Sequence, residues 1–402
     1  MNAQSPHTPA GHTPTGTAGV VRLDLTSFRS YPSLRLDVAL SPIVLTGANG
    51  AGKTNLLEAV SFLAPGRGLR GARLMSVART EPEKNLIHPW AVSALVTNPD
   101  GEVRLGTGLA TDGKDTRLSD KRAVHVNGMA VKGQVALSRH LGVVWLTPAM
   151  DRIFLDAPSS RRKFLDRLVT AFDPDQAGRI AAYEHAHRQR MRLLRDGIDD
   201  KTWFAALEDT LARYGIAIAA ARADMVSRLN AALSQTRGPF PGAIMTLVGD
   251  TDRWLAEMPA VDVEEKLRNV LGAARYGDVP DPGPHKTDLM VTFGCLGHPS
   301  HNLPASMCST GEQKALLVSI VLASARLQTK KRGFPPVLLL DEIAAHLDPE
   351  RRDALFAEIL NMGVQAWLTG TDEALFTGLG SQAQYWSVGQ NTLRSNTRQS
   401  AF

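Results

Sequence analysis

Cysteine is nearly absent. Cys295 and Cys308 are the two among 402 residues, too few for a disulfide framework, and the expected setting is a reducing cytoplasm. No apolar run approaches the ~20 residues that cross a bilayer, so no membrane partner or span is expected. The first nineteen residues carry no Asp, Glu, Lys or Arg and contain three prolines. They lack the basic start and apolar core of a secretory signal and read as a disordered tail over residues 1–19. Heptads are not sustained, which excludes a long coiled coil, and no internal repeat is evident. The net charge of +5 is mild: it permits nucleic-acid binding without indicating it.

What is present is organised in blocks. Residues 20–31 alternate as a strand does, and 43–46 (IVLT) form a short buried strand. Asp100–Gly101 and Asn127–Gly128 each mark a hairpin, and GVVWLT (142–147) is another apolar strand. From about 158 to 234 the pattern becomes helical, with starts at Pro158–Ser160 and Asp199–Asp200. Arg161 to Arg195 contains nine basic and four acidic residues, a run that is ordinarily a solvated helix face. Strands return at AIMTLVG (243–249) and DLMVTFGCLG (288–297), expected to be joined by a loop containing GPHKTD (283–288). Helix and strand alternate from there to the end.

Three motifs carry chemistry. GANGAGKT (47–54) satisfies GxxxxGK[ST], between an apolar strand and an amphipathic helix. Such a loop wraps phosphates with backbone N–H groups at a helix N-terminus. Gly47, Ala48, Asn49, Gly50, Ala51, Gly52, Lys53, Thr54 and Asn55 are the candidate ATP-binding residues, with Lys53 reaching the β- and γ-phosphates. VLLLDE (337–342) is a buried strand ending in two carboxylates. Thr54 and Asp341 are candidate Mg²⁺ ligands, and Glu342 is the candidate group that orients or deprotonates water, beside Lys53 in the catalytic set. STGEQK (309–314) opens a helix roughly thirty residues before the carboxylate strand. A serine there can be a plain N-cap. It is also similar to the LSGGQ signature of ABC-type ATPases, with Ser309, Gly311 and Gln313 at matching positions and Thr310 and Glu312 departing from it.

The ordered segments VVRLDLTSFRSYPSLRLDV, GANGAGKTNLLEAVSFLAPGRGLR, LDAPSSRRKFLDRLV, GPHKTDL, CSTGEQKALLVSIVLASA and LLLDEIAAHLDPERRDALF resemble the RecF family of bacterial recombination mediators. The resemblance covers most of residues 20–375. It implies an α/β fold: a P-loop ABC-type ATPase head with an inserted, mainly helical lobe. The expected divisions are 20–150 and 281–402 for the two parts of the ATPase lobe and 151–280 for the helical lobe. It further implies an ATP-dependent homodimer with Ser309, Gly311 and Gln313 acting across the interface. Weak ATP hydrolysis, binding to double-stranded DNA near gap junctions, and partnership with RecR, with RecO and RecA downstream, complete what it implies.

Departures from the wider ABC pattern matter. The glutamine loop is replaced by WLTPAMDR, where Thr147 or Asp151 stands in or no side chain does. The switch histidine is missing from AWLTGTDE, leaving Thr369 or Thr371 to sense the γ-phosphate. Both gaps speak against a transporter ATPase; an ATP-gated scaffold that never touches DNA stays open. Cys295, His298, His301 and Cys308 fit no closed zinc knuckle, and an ordinary buried thiol is the simpler reading. His346 falls in the subunit-contacting D-loop by position. Arg67 and Arg70 reach nucleotide or DNA, or are solvated.

Overall fold

A computed structural model of the chain describes residues 16–81, 86–111, 118–234, 239–277, 281–294 and 298–396. Of the expected tail, residues 1–15 lie outside that set. The remainder is built into the fold: Ala18 is buried and Gly19 opens the first strand.

Two six-stranded sheets form the head. The first is antiparallel and runs, in spatial order, Tyr31–Asp37, Gly19–Phe28, Ala91–Asn98, Gly101–Thr111, Leu118–Val126 and Met129–Ala130. Both expected hairpins are present. Asn127 and Gly128 take φ of 49° and 80°, as a two-residue connection between right-twisted strands requires. Alternating burial along Ala91–Asn98 gives this sheet one inner face.

The second sheet holds the nucleotide motifs. Its order is Val143–Leu146, Val337–Leu340, Ala366–Gly370, Ile43–Thr46, Gln384–Gly389 and Thr392–Ser395, all parallel except the last. The four strands from Val143–Leu146 to Ile43–Thr46 are buried along their whole length, as expected of parallel strands covered on both faces. The P-loop strand and the carboxylate strand are therefore not neighbours. Ala366–Gly370 lies between them.

Three long helices, Pro158–Phe172, Gln176–Arg195 and Lys201–Leu233, make the inserted lobe. Pro158 sits in the first turn, and Asp200 caps the third helix by accepting from the Trp203 amide. The strands Ala243–Val248 and Asp288–Phe293 pair antiparallel, but the segment between them is not merely a loop. It forms helices Asp250–Glu257 and Ala260–Ala273. Acidic first turns favour both, and Val263, Leu267 and Leu271, buried at i, i+4, i+8 spacing, seat the second. These residues join Tyr183, Phe204 and Leu211 in a core separate from that of the head. Arg222, almost fully buried, binds both Asp166 oxygens at 2.8 Å and the Pro284 carbonyl at 2.6 Å, tying the lobe's helices to the GPHKTD segment. Among the described residues, no helix is long and apolar enough to cross a membrane.

Gln365 joins the two sheets. Wholly buried, it accepts from the Val20 amide (2.9 Å) and donates to the carbonyls of Val20 (2.7 Å) and Ala39 (2.9 Å). Val20 sits where the register of Gly19–Phe28 against Ala91–Asn98 shifts at a bulge, and Ala39 lies past the end of strand Tyr31–Asp37, so this side chain satisfies backbone groups that the ladder leaves. Gln365→Leu keeps the volume and orphans those groups. The expected loss is about 2–4 kcal/mol, read as a lower urea midpoint at unchanged m value; an unchanged midpoint would contradict it.

Candidate nucleotide site

The strand Ile43–Thr46 delivers residues 47–52 to the N-terminus of helix Lys53–Ser61. Gly52 takes φ of 107°, and a Cβ there would lie 2.7 Å from the Tyr31 hydroxyl. Tyr31, fully buried, donates to the Gly52 carbonyl at 3.2 Å and fixes the back of the loop. The Lys53 ammonium is nearly buried and donates to the carbonyls of Gly47 (2.7 Å) and Ala48 (3.0 Å), so it is folded over the loop it serves. The far end of the helix is held by Arg122. This guanidinium caps the carbonyls of Phe62, Ala64 and Gly66, and burial pushes its pKa down to about 10.

Asn49, Gly50, Gly52, Lys53, Thr54, Asn55, Arg70 and Glu342 line one cleft of about 370 Å³. Asn55 donates to the Ser30 hydroxyl and accepts from Arg70, both at 2.9 Å. Arg70 also bonds Glu58, a wholly buried carboxylate that Arg29 grips at 2.7 and 2.9 Å. The rim arginine is thus anchored to the P-loop helix. Arg67 is exposed and faces a different cavity.

The carboxylate tip is organised by hydroxyls. Asp341, nearly buried, accepts from Thr54 at 2.9 and 3.2 Å and from Thr369 at 2.7 Å. The same Thr369 oxygen accepts the Glu342 amide at 2.9 Å. Glu342 sits at φ 52°, a left-handed conformation that costs a non-glycine residue roughly 1–3 kcal/mol. Thr369, wholly buried on the intervening strand, therefore fixes both carboxylate residues. Thr371 is exposed and lines no part of the cleft. Of the residues standing where the glutamine loop would be, Asp151 is paired with Lys314 at 3.0 Å and Thr147 is buried. The Thr54 hydroxyl and the Asp341 carboxylate are the hard oxygen donors that Mg²⁺ takes, so the residues present fit that ion.

The STGEQ segment lies apart from this cleft: none of residues 309–313 lines it. Ser309 is the N-cap of helix Thr310–Arg332, in a reciprocal capping box with Glu312. Hydroxyls of Ser300 (2.5 Å) and Ser309 (2.7 Å) donate to the Glu312 carboxylate and hold its pKa below the usual range. Arg351 donates to the Gly311 carbonyl at 3.3 Å. The Gln313 amide is turned inward and donates to the Cys308 carbonyl at 2.9 Å. His346 is exposed, and Asp348 caps the following helix. In the cysteine–histidine group, Cys295 lies outside the described residues, His298 stacks on Phe293, and the buried Cys308 thiol faces the Pro304 carbonyl.

The role of Thr369 was only half legible in sequence. Its signal is a polar residue inside an otherwise apolar buried strand. The Glu58 hub gave a fainter one, a carboxylate on the apolar face of the P-loop helix.

The family description "RecF/RecN/SMC N terminal domain" matches residues 19–382. The chain is 46% identical over 380 residues to the DNA replication and repair protein RecF of Mesorhizobium japonicum, covering 93% of this chain and 97% of that protein. Its identity to the protein of the same name from Agrobacterium fabrum is 45%, with coverage of 93% and 98%. Among solved structures, the recombination mediator protein RecF-ATPrS of the RecFOR pathway superposes with a TM-score of 0.78 at 20% identity, covering 96% of this chain and all of that one. A Pyrococcus furiosus Smc head domain bound to part of ScpA gives 0.51 at 15%, covering 94% and 96%. Fold and motifs define an ABC-type ATPase head of the RecF/RecN/SMC class, with an inserted helical lobe. Within that class the chain belongs to the RecF family.

Gly52→Ala sets a methyl against Tyr31, a fully buried residue of the head core, at a strained φ. ATP affinity, followed by titration calorimetry below the unfolding transition, is expected to fall at least tenfold, with a lower unfolding midpoint from the displaced ring. Unchanged affinity would show that the loop geometry does not hold phosphate.

Proposed function

We propose that the chain is an ATP-switched DNA-repair protein: ATP closes two copies into a dimer that holds double-stranded DNA, and slow hydrolysis opens it. The observation that carries this reading is the separation of the two halves of the site. The cleft gathers Lys53, Thr54 and Glu342, with Asp341 bonded to Thr54, yet takes nothing from the STGEQ segment. A second chain supplies that segment. Ser309 and the first-turn amides around Gly311 meet the γ-phosphate held by the partner, whereas Gln313 acts within its own subunit by fixing Cys308.

Lys53 and the loop amides bind the β- and γ-phosphates, and Thr54 and Asp341 hold Mg²⁺. Held by those two residues, Mg²⁺ would supply positive charge to offset that of the phosphates. Glu342 accepts the proton of the attacking water as its oxygen bonds to the γ-phosphorus and the bridge to ADP breaks. Thr369 keeps Glu342 in place.

For DNA, support comes from the relatives' name and from Arg188, Arg192 and Arg195, which stand well exposed on one helix of the inserted lobe. Such a surface suits phosphate contacts that position a duplex without reading its sequence. Within repair, the dimer acts at junctions between duplex and single-stranded gaps and helps a RecR-containing mediator, with RecO, load RecA.

Sedimentation velocity with and without ATP tests the switch. The unmodified chain is expected to dimerise only with ATP, and Lys53→Met to stay monomeric. Glu342→Gln is expected to hold the dimer while phosphate release drops roughly hundredfold or more. Thr369→Val should bind ATP normally and lose hydrolysis by at least tenfold. A Lys53→Met dimer of unchanged affinity would remove ATP from the mechanism; rapid turnover by Glu342→Gln would remove Glu342 as the base.

A further inference from the structure

The helical lobe holds a second group of ionisable side chains that nucleotide chemistry does not use. His187 lies on helix Gln176–Arg195, and Asp281 and His285 lie on the segment entering strand Asp288–Phe293. One ligand atom from each comes within 4.8 Å of the others, and all three side chains are half-buried. His187 Nε2 stands 3.3 Å from Asp281 Oδ2. Two ligand atoms each about 2.0–2.1 Å from one tetrahedral ion are separated by roughly 3.3–3.4 Å. The pair already has that spacing.

The outer contacts fix the orientation of the three groups. The Tyr183 hydroxyl lies 2.7 Å from His285 Nδ1, which leaves Nε2 as the free ring nitrogen. The His187 and His285 rings are 4.5 Å apart. Asp281 presents Oδ2 to His187, while its Oδ1 accepts from Arg190 at 3.0 Å. Arg190 is wholly buried and is itself fixed by Glu208 (3.4 Å) and the Leu271 carbonyl (2.7 Å). Gly283, at φ 151°, makes room: a Cβ there would collide with the Tyr183 hydroxyl and lie 2.8 Å from His285 Nδ1.

We propose that His187, Asp281 and His285 form a binding site for a divalent transition-metal ion of the zinc class, with water completing the coordination. Two imidazoles and one carboxylate suit such an ion better than Mg²⁺ or Ca²⁺, which take oxygen ligands. The ion staples the helix Gln176–Arg195 to the segment that continues into Asp288. Asp288 in turn grips Arg161 of helix Pro158–Phe172 at 2.7 and 2.8 Å. The metal thus links the lobe's separate core to the helix that packs against the head.

The test uses the full chain, stripped with chelator and free of nucleotide and Mg²⁺, titrated with ZnCl₂ by calorimetry and with CoCl₂ by visible absorption. One Zn²⁺ per chain is expected, with Co²⁺ d–d bands and a higher thermal midpoint on Zn²⁺ addition. His187→Ala, His285→Ala and Asp281→Asn should each weaken binding at least tenfold and abolish the midpoint rise. Asp281→Asn keeps an acceptor for Arg190, so it separates metal loss from misfolding; its retained ATP binding confirms a folded chain. Zn²⁺ affinity unchanged in Asp281→Asn and either histidine variant would overturn the proposal and assign any bound ion to other residues.

Discussion

The site depends on one buried hydroxyl. Thr369 donates to Asp341 and accepts from the Glu342 amide, while Thr54 donates to the same Asp341 carboxylate. Three adjacent parallel strands, Val337–Leu340, Ala366–Gly370 and Ile43–Thr46, are thereby joined at their C-terminal ends by hydrogen bonds between side chains. Water is largely excluded there, because Asp341 and Thr369 are both buried. In such surroundings hydrogen bonds to a carboxylate are stronger than at the surface, and leaving one unmade costs more. The left-handed backbone of Glu342 persists because this bond holds it.

Everything upstream serves to bring those strands together. The head sheet takes its P-loop strand from the first fifty residues and its other strands from beyond residue 142. Loop closure over such lengths is entropically costly but grows only slowly with length, which is why a helical lobe can be inserted without breaking the head. Gln365 and Arg122 make the assembly specific. The first stitches the antiparallel sheet to the parallel one, and the second secures the end of the P-loop helix. The lobe is tied back by Arg222 and Arg161, whose carboxylate partners Asp166 and Asp288 are distant from them in sequence.

What could be read from sequence was whatever is local. GANGAGKT, VLLLDE and the hairpin turns are complete within a few residues, and each forms the element its pattern describes. The choice between Thr369 and Thr371 could not be made locally, because it depends on which residue of a strand faces the neighbouring carboxylate. STGEQ reads as a signature by its spacing before the carboxylate strand, with a plain cap as the alternative, and Ser309 does cap its helix. The helices between Ala243–Val248 and Asp288–Phe293 are obscured in the sequence, although Val263, Leu267 and Leu271 carry the period. The strand signals on either side, with glycine and proline between them, outweighed it. The meeting of His187 with Asp281 and His285 spans nearly a hundred residues and leaves no local trace.

Binding of a fluorescent duplex across a salt series, with and without ATP, tests the central claim most directly. An ATP-gated clamp predicts tight binding only with ATP and an affinity that falls steeply as salt rises, because closing on DNA releases counterions. Duplex binding that is absent under ATP, or indifferent to ATP and salt, would contradict it and leave a nucleotide-gated dimer whose closed face recruits protein instead.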